Sequence, residues 1–260
     1  MERRNALRTV AALLAGATAA CDAAPPAARQ STAPPSTPPA TPPPTTAATG
    51  PSPTTVDSRS VPAGEITHGP RDRSQVALTF HGQGNATLVT EILDRLAAGR
   101  ARVTVLAVGT WLAANPELGR RIVAAGHELG NHTQHHADIK QMSANRAFAE
   151  IADCAATLHR VTGSIGRWFR PSQTREATAT IKSAAARAGY PTCLSYDVDS
   201  LDYTDPGPDA IVSTTLSAAR PGSIISLHFG HPGTIAAMPA LLAGLHRRGL
   251  APVTMTELMA

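Results

Sequence analysis

The length, composition and charge of the chain limit the classes of protein it can belong to. It has 260 residues, of which 42% are hydrophobic and 3% aromatic, and its formal net charge is +4. This length allows one or two domains. The basic residues are scattered over helix-like segments, and no basic run has interleaved aromatic residues, so the charge is assigned to a solvated surface and nucleic-acid binding is not expected.

The first 21 residues have the features of an export signal. Three arginines lie within the first eight residues, and residues 10–20 form a short apolar run that ends in small residues. This run is too short to cross a membrane as a helix. Cys21 follows at once, which resembles a bacterial lipoprotein signal, and the pair Arg3-Arg4 resembles a twin-arginine signal. We expect lipidation at Cys21, with an ordinary cleaved signal as the alternative.

Residues 22–70 are rich in proline, threonine and alanine and lack apolar periodicity. Such a segment cannot bury enough apolar surface to fold, and proline stiffens it toward polyproline II. We therefore predict a disordered tether over residues 22–70 and a folded domain over residues 71–260. An exported domain held at the outer face of the cytoplasmic membrane or in the cell wall is the expected arrangement.

Residues 71–260 alternate short apolar runs with helical patterns. The predicted strands are residues 76–80, 102–107, 127–129, 168–170, 192–198, 223–228 and 251–254. The predicted helices are residues 88–98, 117–125, 143–162, 176–188, 209–219 and 234–248. Ser143 and Asp209 are plausible N-caps, and a glycine follows five of the six helices, as a left-handed C-cap requires. The alternation predicts an α/β fold with a parallel sheet, either open or closed into a barrel.

Several polar residues lie at or just after the carboxyl ends of the predicted strands: His81, His132, Arg170, Asp199 and His228. In a parallel barrel the reactive residues come from this end of the strands. These five residues are therefore candidates for one site.

The segment GHELGNHTQHH (residues 126–136) contains the strongest local signal. His132 and His136 are four residues apart, and on a helical turn this spacing places two imidazoles on one face, where they could bind one metal ion. His135 would point elsewhere. The same spacing also occurs by chance on exposed helices.

The region from about residue 74 to 258 resembles the polysaccharide deacetylases of carbohydrate esterase family 4, the NodB-homology domain. His132, Thr133 and His136 match the family pattern His-Ser/Thr-x-x-His. The resemblance implies a distorted (β/α) barrel of about seven parallel strands. It also implies that His132 and His136 bind a divalent metal, usually zinc, with cobalt or nickel as alternatives.

Three later segments resemble further family motifs. In RWFRPSQ (167–173), Arg170 and Pro171 match, and the arginine would orient the catalytic base. In YDVDSLDY (196–203), Asp199, Asp202 and Tyr203 match an Asp-x-x-Asp-aromatic frame. By the same resemblance, IISLHFG (224–230) would supply Leu227 to line the acetyl pocket and His228 as general acid, with Asp202 or Asp199 holding its charge; Tyr203 and Pro171 would contact substrate.

The first motif departs from the family pattern. The family has Thr-Phe-Asp-Asp-Gly, with one aspartate as base and the other as metal ligand, whereas this chain has Thr79-Phe80-His81-Gly82-Gln83-Gly84. Without a gap His81 replaces the base and Gly82 the ligand; with one inserted residue Gln83 replaces the ligand. His81 could be the third metal ligand, the general base, or neither, and these alternatives stay open.

The resemblance implies a metal-dependent hydrolase that removes acetyl groups, most often N-acetyl groups, from a polysaccharide such as peptidoglycan or a chitin-like oligomer. The alternative is a catalytically impaired family member that binds wall glycan as a lipoprotein. We expect a monomer that reaches the membrane through its lipid anchor. Cys154 and Cys193 could form a disulfide in an exported domain.

Overall fold

A computed structural model describes residues 64–260. The predicted signal and most of the predicted tether, including Cys21, lie outside the described residues. The strands are β1 Gly64–Ile66, β2 Gln75–Gly82, β3 Thr104–Ala107, β4 Glu128–Asn131, β5 Thr192–Leu194, β6 Val198–Asp199, β7 Ile224–His228 and β8 Ala251–Val253. The α-helices are α1 Ala86–Ala98, α2 Gly109–Ala114, α3 Pro116–Ala124, α4 Ala144–Thr162, α5 Ala179–Arg187, α6 Pro208–Ala218, α7 Pro232–Arg247 and α8 Met255–Leu258.

The long strand β2 is the centre of a parallel sheet. The strand order is β4-β3-β2-β7-β6, and β8 pairs with the first residues of β2. Every strand pairing within this sheet is parallel. All these strands therefore present their carboxyl ends at the same edge, which confirms the predicted α/β architecture.

The two ends of this sheet are joined through residues 168–199. Phe169 forms single parallel bridges with Asn131 at the end of β4 and with Cys193 in β5. β5 is followed after three residues by β6, which pairs with β7. The strand pairings, together with the chain from β5 to β6, therefore continue around a distorted barrel. The predicted strand at residues 168–170 contributes only one bridged residue, because Gly166 turns the chain at φ 73° before it and Pro171 cannot donate a ladder hydrogen bond after it.

The caps of the longest helix match the sequence pattern. In α4, Ser143 accepts a hydrogen bond from the backbone N–H of Arg146 at 3.4 Å, and Gly163 ends the helix at φ 79°. The prediction for Asp209 is wrong: Gly207 is the N-cap of α6, and Asp209 lies in the first turn after Pro208. Gly99 also differs, since it keeps φ −81° and Arg100 takes the positive φ of 51°.

The folded part of the chain begins earlier than the sequence predicted. Strand β1 lies within the predicted tether and pairs in parallel with β5. Glu65 in β1 accepts a hydrogen bond from the backbone N–H of Ala177 at 2.7 Å and forms an ion pair with Lys182 at 3.1 Å. The boundary at residue 70 is therefore wrong by at least seven residues, since β1 begins at Gly64. A strand of three residues is too short for its pattern to stand out from a proline-rich segment. Helices α2 and α8, of six and four residues, are likewise too short to show a helical pattern in the sequence.

Side chains on each strand alternate between the barrel interior and the surrounding helices. One set of buried residues, including Leu78, Phe80 and Leu227, belongs to the large core shared with the helices. The other set, including Ala77 and Ile224, packs inside the barrel. The described residues contain no helix with the length and hydropathy needed to cross a membrane.

Candidate active site

The site is built at the carboxyl-end mouth of the barrel by strand alternation. His81 lies on β2 two and four residues after Thr79 and Ala77, on the interior face. His228 lies on β7 opposite His81 in register, and Ser226 lies two residues before it on the same face. The two imidazole rings stack with their centroids 4.2 Å apart.

Three histidines bring one nitrogen each to a common point. The ligand nitrogens of His81, His132 and His136 all lie within 4.8 Å of one another. The closest pair is His81 Nδ1 and His132 Nε2, at 2.8 Å. His132 and His136 therefore lie close together, as predicted.

The predicted reason for that proximity is wrong. Residues 132–136 form no helix; they form a loop after β4 in which Thr133 has φ 67° and His136 has φ 56°. Asn131 shapes this loop, since its Oδ1 accepts from the backbone N–H of Thr133 at 2.9 Å. Gln173 Nε2 donates to the carbonyl of His136 at 2.7 Å. These contacts hold both histidines in place, so loop geometry explains their convergence.

The hydrogen bonds of His132 determine which of its nitrogens has a free lone pair. His132 is fully buried, and its Nδ1–H donates to the carbonyl of Arg170 at 2.8 Å. Because a carbonyl only accepts, Nδ1 carries the proton and Nε2 presents a lone pair to the cluster. A metal-ligating histidine is commonly held in this way by a carbonyl.

His81 directs one nitrogen outward and one inward. Nδ1 faces His132, whereas Nε2 lies 3.0 Å from Ser226 Oγ and 3.4 Å from Arg170 Nη1. The sequence reasoning missed Ser226. Its position two residues before His228 places it on the same strand face, and that spacing was the signal that could have identified it.

Arg170 lies beneath the histidine cluster and is 1% exposed. It donates to Thr79 Oγ1 at 2.8 Å and to the carbonyls of Leu194 and Ser195. None of the ion pairs among residues 64–260 includes Arg170. Burial lowers the pKa of Arg170 to about 10, against the opposing influence of Tyr196 and Asp199. The guanidinium is therefore charged at neutral pH without a direct carboxylate partner.

The environment keeps the three histidines neutral. Burial lowers the pKa of His81 and of His132 well below the usual range, and the neighbouring histidines and Arg170 lower both further. Burial also lowers the pKa of His136. Neutral imidazoles retain the lone pairs that a divalent metal needs.

These residues fit a zinc-like metal. Nitrogen ligands at about 2.0–2.1 Å from zinc lie about 3.3–3.4 Å apart in a tetrahedral site. This value lies between the 2.8 Å that separates His81 Nδ1 from His132 Nε2 and the 4.8 Å within which all three nitrogens lie. Three protein ligands leave one coordination position for substrate or water. Gln83, the other first-motif candidate, lines a different cleft, together with Trp111 and Phe229.

His228 forms a pair with Asp202. His228 Nδ1 lies 2.7 Å from Asp202 Oδ1, and the other carboxylate oxygen accepts from the backbone N–H of His228 at 2.8 Å and from Thr234 Oγ1 at 2.7 Å. Burial alone would raise the pKa of Asp202, but the hydrogen bonds from His228 and Thr234 outweigh it, so this pKa is lowered. The ionised carboxylate fixes the proton of His228 on Nδ1 and leaves Nε2 free.

Asp199 does not contact His228. Its carboxylate accepts from Tyr196 Oη at 3.4 Å and from the backbone N–H of Leu201 at 3.1 Å. The sequence left open whether Asp202 or Asp199 holds the charge of His228, and the contacts favour Asp202.

A pocket of about 430 Å³ opens over the histidines. Its lining residues are His81, His136, Gln173, Thr174, Arg175, Tyr196, Tyr203 and His228. Tyr203 is 48% exposed, and its ring lies 5.2 Å from that of His228. Tyr203 therefore lies at the open side of the pocket, beside His228.

Two residues predicted to contact substrate do not line this pocket. Leu227 is fully buried in the core shared with the helices, because adjacent strand residues point to opposite faces and His228 takes the interior face. Pro171 is buried and is not among the lining residues, although Gln173 to Arg175, shortly after it in the chain, are. The predictions for Leu227 and Pro171 are therefore wrong.

Cys154 and Cys193 are not linked. Both are free and buried, in different core clusters. Burial raises the pKa of each thiol to about 12, which makes both unreactive at neutral pH. The disulfide that the sequence left open is absent.

Comparisons with known proteins identify the relatives of this chain. A family model for polysaccharide deacetylases matches residues 68–193. The chain is 34% identical over 192 residues to a chitooligosaccharide deacetylase of Bradyrhizobium sp., covering 67% of this chain and 85% of that protein. It is 30% identical over 203 residues to a peptidoglycan-N-acetylglucosamine deacetylase of Bacillus cereus, covering 76% and 94%.

A solved structure that shares the fold is that of a pseudoenzyme. It is a family 4 carbohydrate esterase pseudoenzyme from Bacillus anthracis, with 22% identity and a TM-score of 0.72, and the match covers 77% of this chain and 70% of that chain. At this identity the likeness shows the fold alone.

Proposed function

Because this chain belongs to the polysaccharide deacetylase family, we propose that it is a metal-dependent hydrolase of N-acetyl groups on a cell-surface polysaccharide. The observation that carries the proposal is the convergence of the nitrogens of His81, His132 and His136 within 4.8 Å. These atoms supply the three ligands that a catalytic zinc site requires. The curated relatives act on chitooligosaccharides and peptidoglycan, so an acetylated glycan of either kind is the proposed substrate.

The contacts of His81 favour a ligand over a general base. A base needs a nitrogen that faces the attacking water, but His81 Nε2 points inward to Ser226 and Arg170. The other nitrogen, Nδ1, faces the cluster of histidines. His81 thus replaces the missing first-motif carboxylates as a ligand, and we propose zinc as the metal, with cobalt or nickel as alternatives.

A divalent metal bound by this triad would polarise the acetyl carbonyl and lower the pKa of the attacking water. His228 is the residue placed to move protons. Its free Nε2 takes a proton from the attacking water as the water oxygen adds to the carbonyl carbon. It then gives this proton to the amide nitrogen as the C–N bond breaks, which releases acetate and a free amine. Asp202 stabilises the imidazolium that forms between these steps.

Arg170 has a supporting role in this proposal. Its carbonyl fixes the tautomer of His132, and its guanidinium lies at the inner nitrogen of His81. The first contact orients a ligand without touching substrate. The proposed export signal, lipid anchor at Cys21 and tether would place the site outside the cytoplasmic membrane, where wall glycans are found.

The test is metal content together with acetate release. The full-length protein, purified without chelator, should hold about one zinc per chain by mass spectrometry and release acetate from chitohexaose or from peptidoglycan. His81→Ala should lower both metal occupancy and acetate release, whereas His246→Ala, at an exposed histidine of α7, should change neither. If His81→Ala retains full metal occupancy but loses acetate release, His81 is not a ligand.

A second function remains supported by one observation: no Asp or Glu lines the pocket among the described residues. In this second function the chain would bind wall glycan without hydrolysing its acetyl groups. Glycan binding by calorimetry, with no acetate released in zinc, cobalt or nickel, would favour this function over the hydrolase.

A further inference from the structure

We propose that the pocket recognises an acetylated sugar that carries a carboxylate, and that Arg175 binds this carboxylate. The inference rests on the proposed function and names the substrate class of the same site. It concerns a side chain outside the cluster of histidines.

Arg175 is held in a defined position at the pocket wall. Ser195 Oγ donates to the carbonyl of Arg175 at 2.7 Å, which fixes its backbone. Its Nη2 donates to the carbonyl of Tyr196 at 3.0 Å, and its guanidinium lies 4.9 Å over the ring of Tyr196. An arginine held on an aromatic ring loses less freedom when it binds a ligand than a mobile surface arginine does.

No acidic side chain neutralises Arg175 within the described part of the chain. None of the ion pairs of residues 64–260 involves it, and no carboxylate lines the pocket. The nearby Asp199 is hydrogen-bonded to Tyr196 and to the backbone of Leu201. By contrast, Arg71 is paired with Asp197 at 2.7 Å.

A second positive charge lies behind the same wall. The guanidinium of Arg170 lies 5.3 Å from the ring centroid of Tyr196, so this ring contacts two arginines. Among the residues that line the pocket, Arg175 is the one with a permanent charge, and no carboxylate is beside it in the lining. Such a cleft attracts an anionic ligand.

A carboxylate is the anion that suits Arg175. One N–H of its guanidinium is used by Tyr196, and the remaining N–H groups are available to two oxygens of one carboxylate in the usual forked geometry. Arg175 lines the same pocket as His228 and His81. The carboxylate would therefore belong to the sugar whose acetyl group is removed or to the sugar next to it.

The experiment compares two matched glycans. Peptide-free strands of N-acetylglucosamine and N-acetylmuramic acid carry lactyl carboxylates, and the same strands with these carboxylates converted to amides are the neutral control. The full-length zinc-loaded protein should show a kcat/KM about tenfold higher for the carboxylate form, as expected for one charge-assisted contact. Arg175→Gln should reduce this ratio to about one, whereas Arg146→Gln, which removes an exposed charge on α4, should leave it at about ten.

The inference is overturned if the wild-type protein treats both glycans equally, or if Arg175→Gln keeps the full preference. If neither glycan releases acetate, the proposed hydrolase function has failed, and calorimetric binding of the same pair tests Arg175 separately. A tenfold binding preference that Arg175→Gln removes then supports the inference, and equal affinities reject it.

Discussion

Ser226 and His81 face each other inside the barrel because β7 and β2 are adjacent and both residues lie on the interior face. When a histidine binds a metal through Nδ1, its Nε2–H needs an acceptor, and Ser226 Oγ is the neighbour that can accept. Arg170, which only donates, cannot do so. Ser226 would therefore position His81 as the third of the proposed ligands.

Ser226→Ala should weaken zinc affinity about tenfold, because loss of such an outer contact commonly costs 10- to 100-fold in metal affinity. Competition with a fluorescent chelator measures this. Ser217→Ala, at an exposed serine of α6, should bind zinc like the wild type. An unchanged affinity in Ser226→Ala would reject the positioning role.

At the scale of elements, two loops meet beside the site. Gly84, after β2, has φ 137° and lies against Gly230, after β7, so that a Cβ on Gly84 would be 2.7 Å from Gly230 Cα. Only glycine permits both the backbone conformation and the close approach. The contact fixes the ends of the two strands that present His81 and His228.

Gly84→Ala should therefore lower Tm and also reduce zinc occupancy, since the loop after His81 must move. Gly163→Ala is the matched control: it has φ 79° with no atom within 4 Å of an added Cβ. It should lose about 1–2 kcal/mol from backbone strain alone and keep its zinc. Equal effects of the two variants on zinc occupancy would contradict this explanation.

At the scale of the whole molecule, the buried histidines make the stability of the metal-free protein depend on pH. Burial lowers the pKa of His81 and His132 well below 6.5, and it also lowers those of His127 and His136. Below about pH 6.5 the unfolded chain binds protons that the folded chain does not bind. Stability must therefore fall as pH falls through this range.

Urea unfolding in EDTA at pH 7, 6 and 5 should show this loss. Each strongly shifted histidine contributes up to about 1.4 kcal/mol per pH unit below the unfolded pKa. His246→Gln, which removes an exposed histidine, should keep the same slope. A free energy of unfolding that is constant or rises toward pH 5 would contradict the burial of neutral histidines.

Much of this organisation could be predicted from the sequence. Alternating strand and helix patterns predicted the parallel α/β fold, because hydrophobic periodicity is a local property. Motif spacing identified His132, His136, Arg170 and His228 as candidates, and the structure brings all four to one mouth. The early boundary at β1 escaped prediction because pairing with β5 is a non-local contact that three residues do not reveal.

The sequence by itself determined which residue types reach the barrel mouth and that no carboxylate remains in the first motif. Only the tertiary structure decided their arrangement: the loop that joins His132 to His136, the inward nitrogen of His81 and the choice of Asp202 over Asp199. It also placed Leu227 in the core and Arg175 in the pocket. The physical reason is that side-chain direction and hydrogen-bond partners depend on strand register and on residues distant in the chain, which local pattern does not encode.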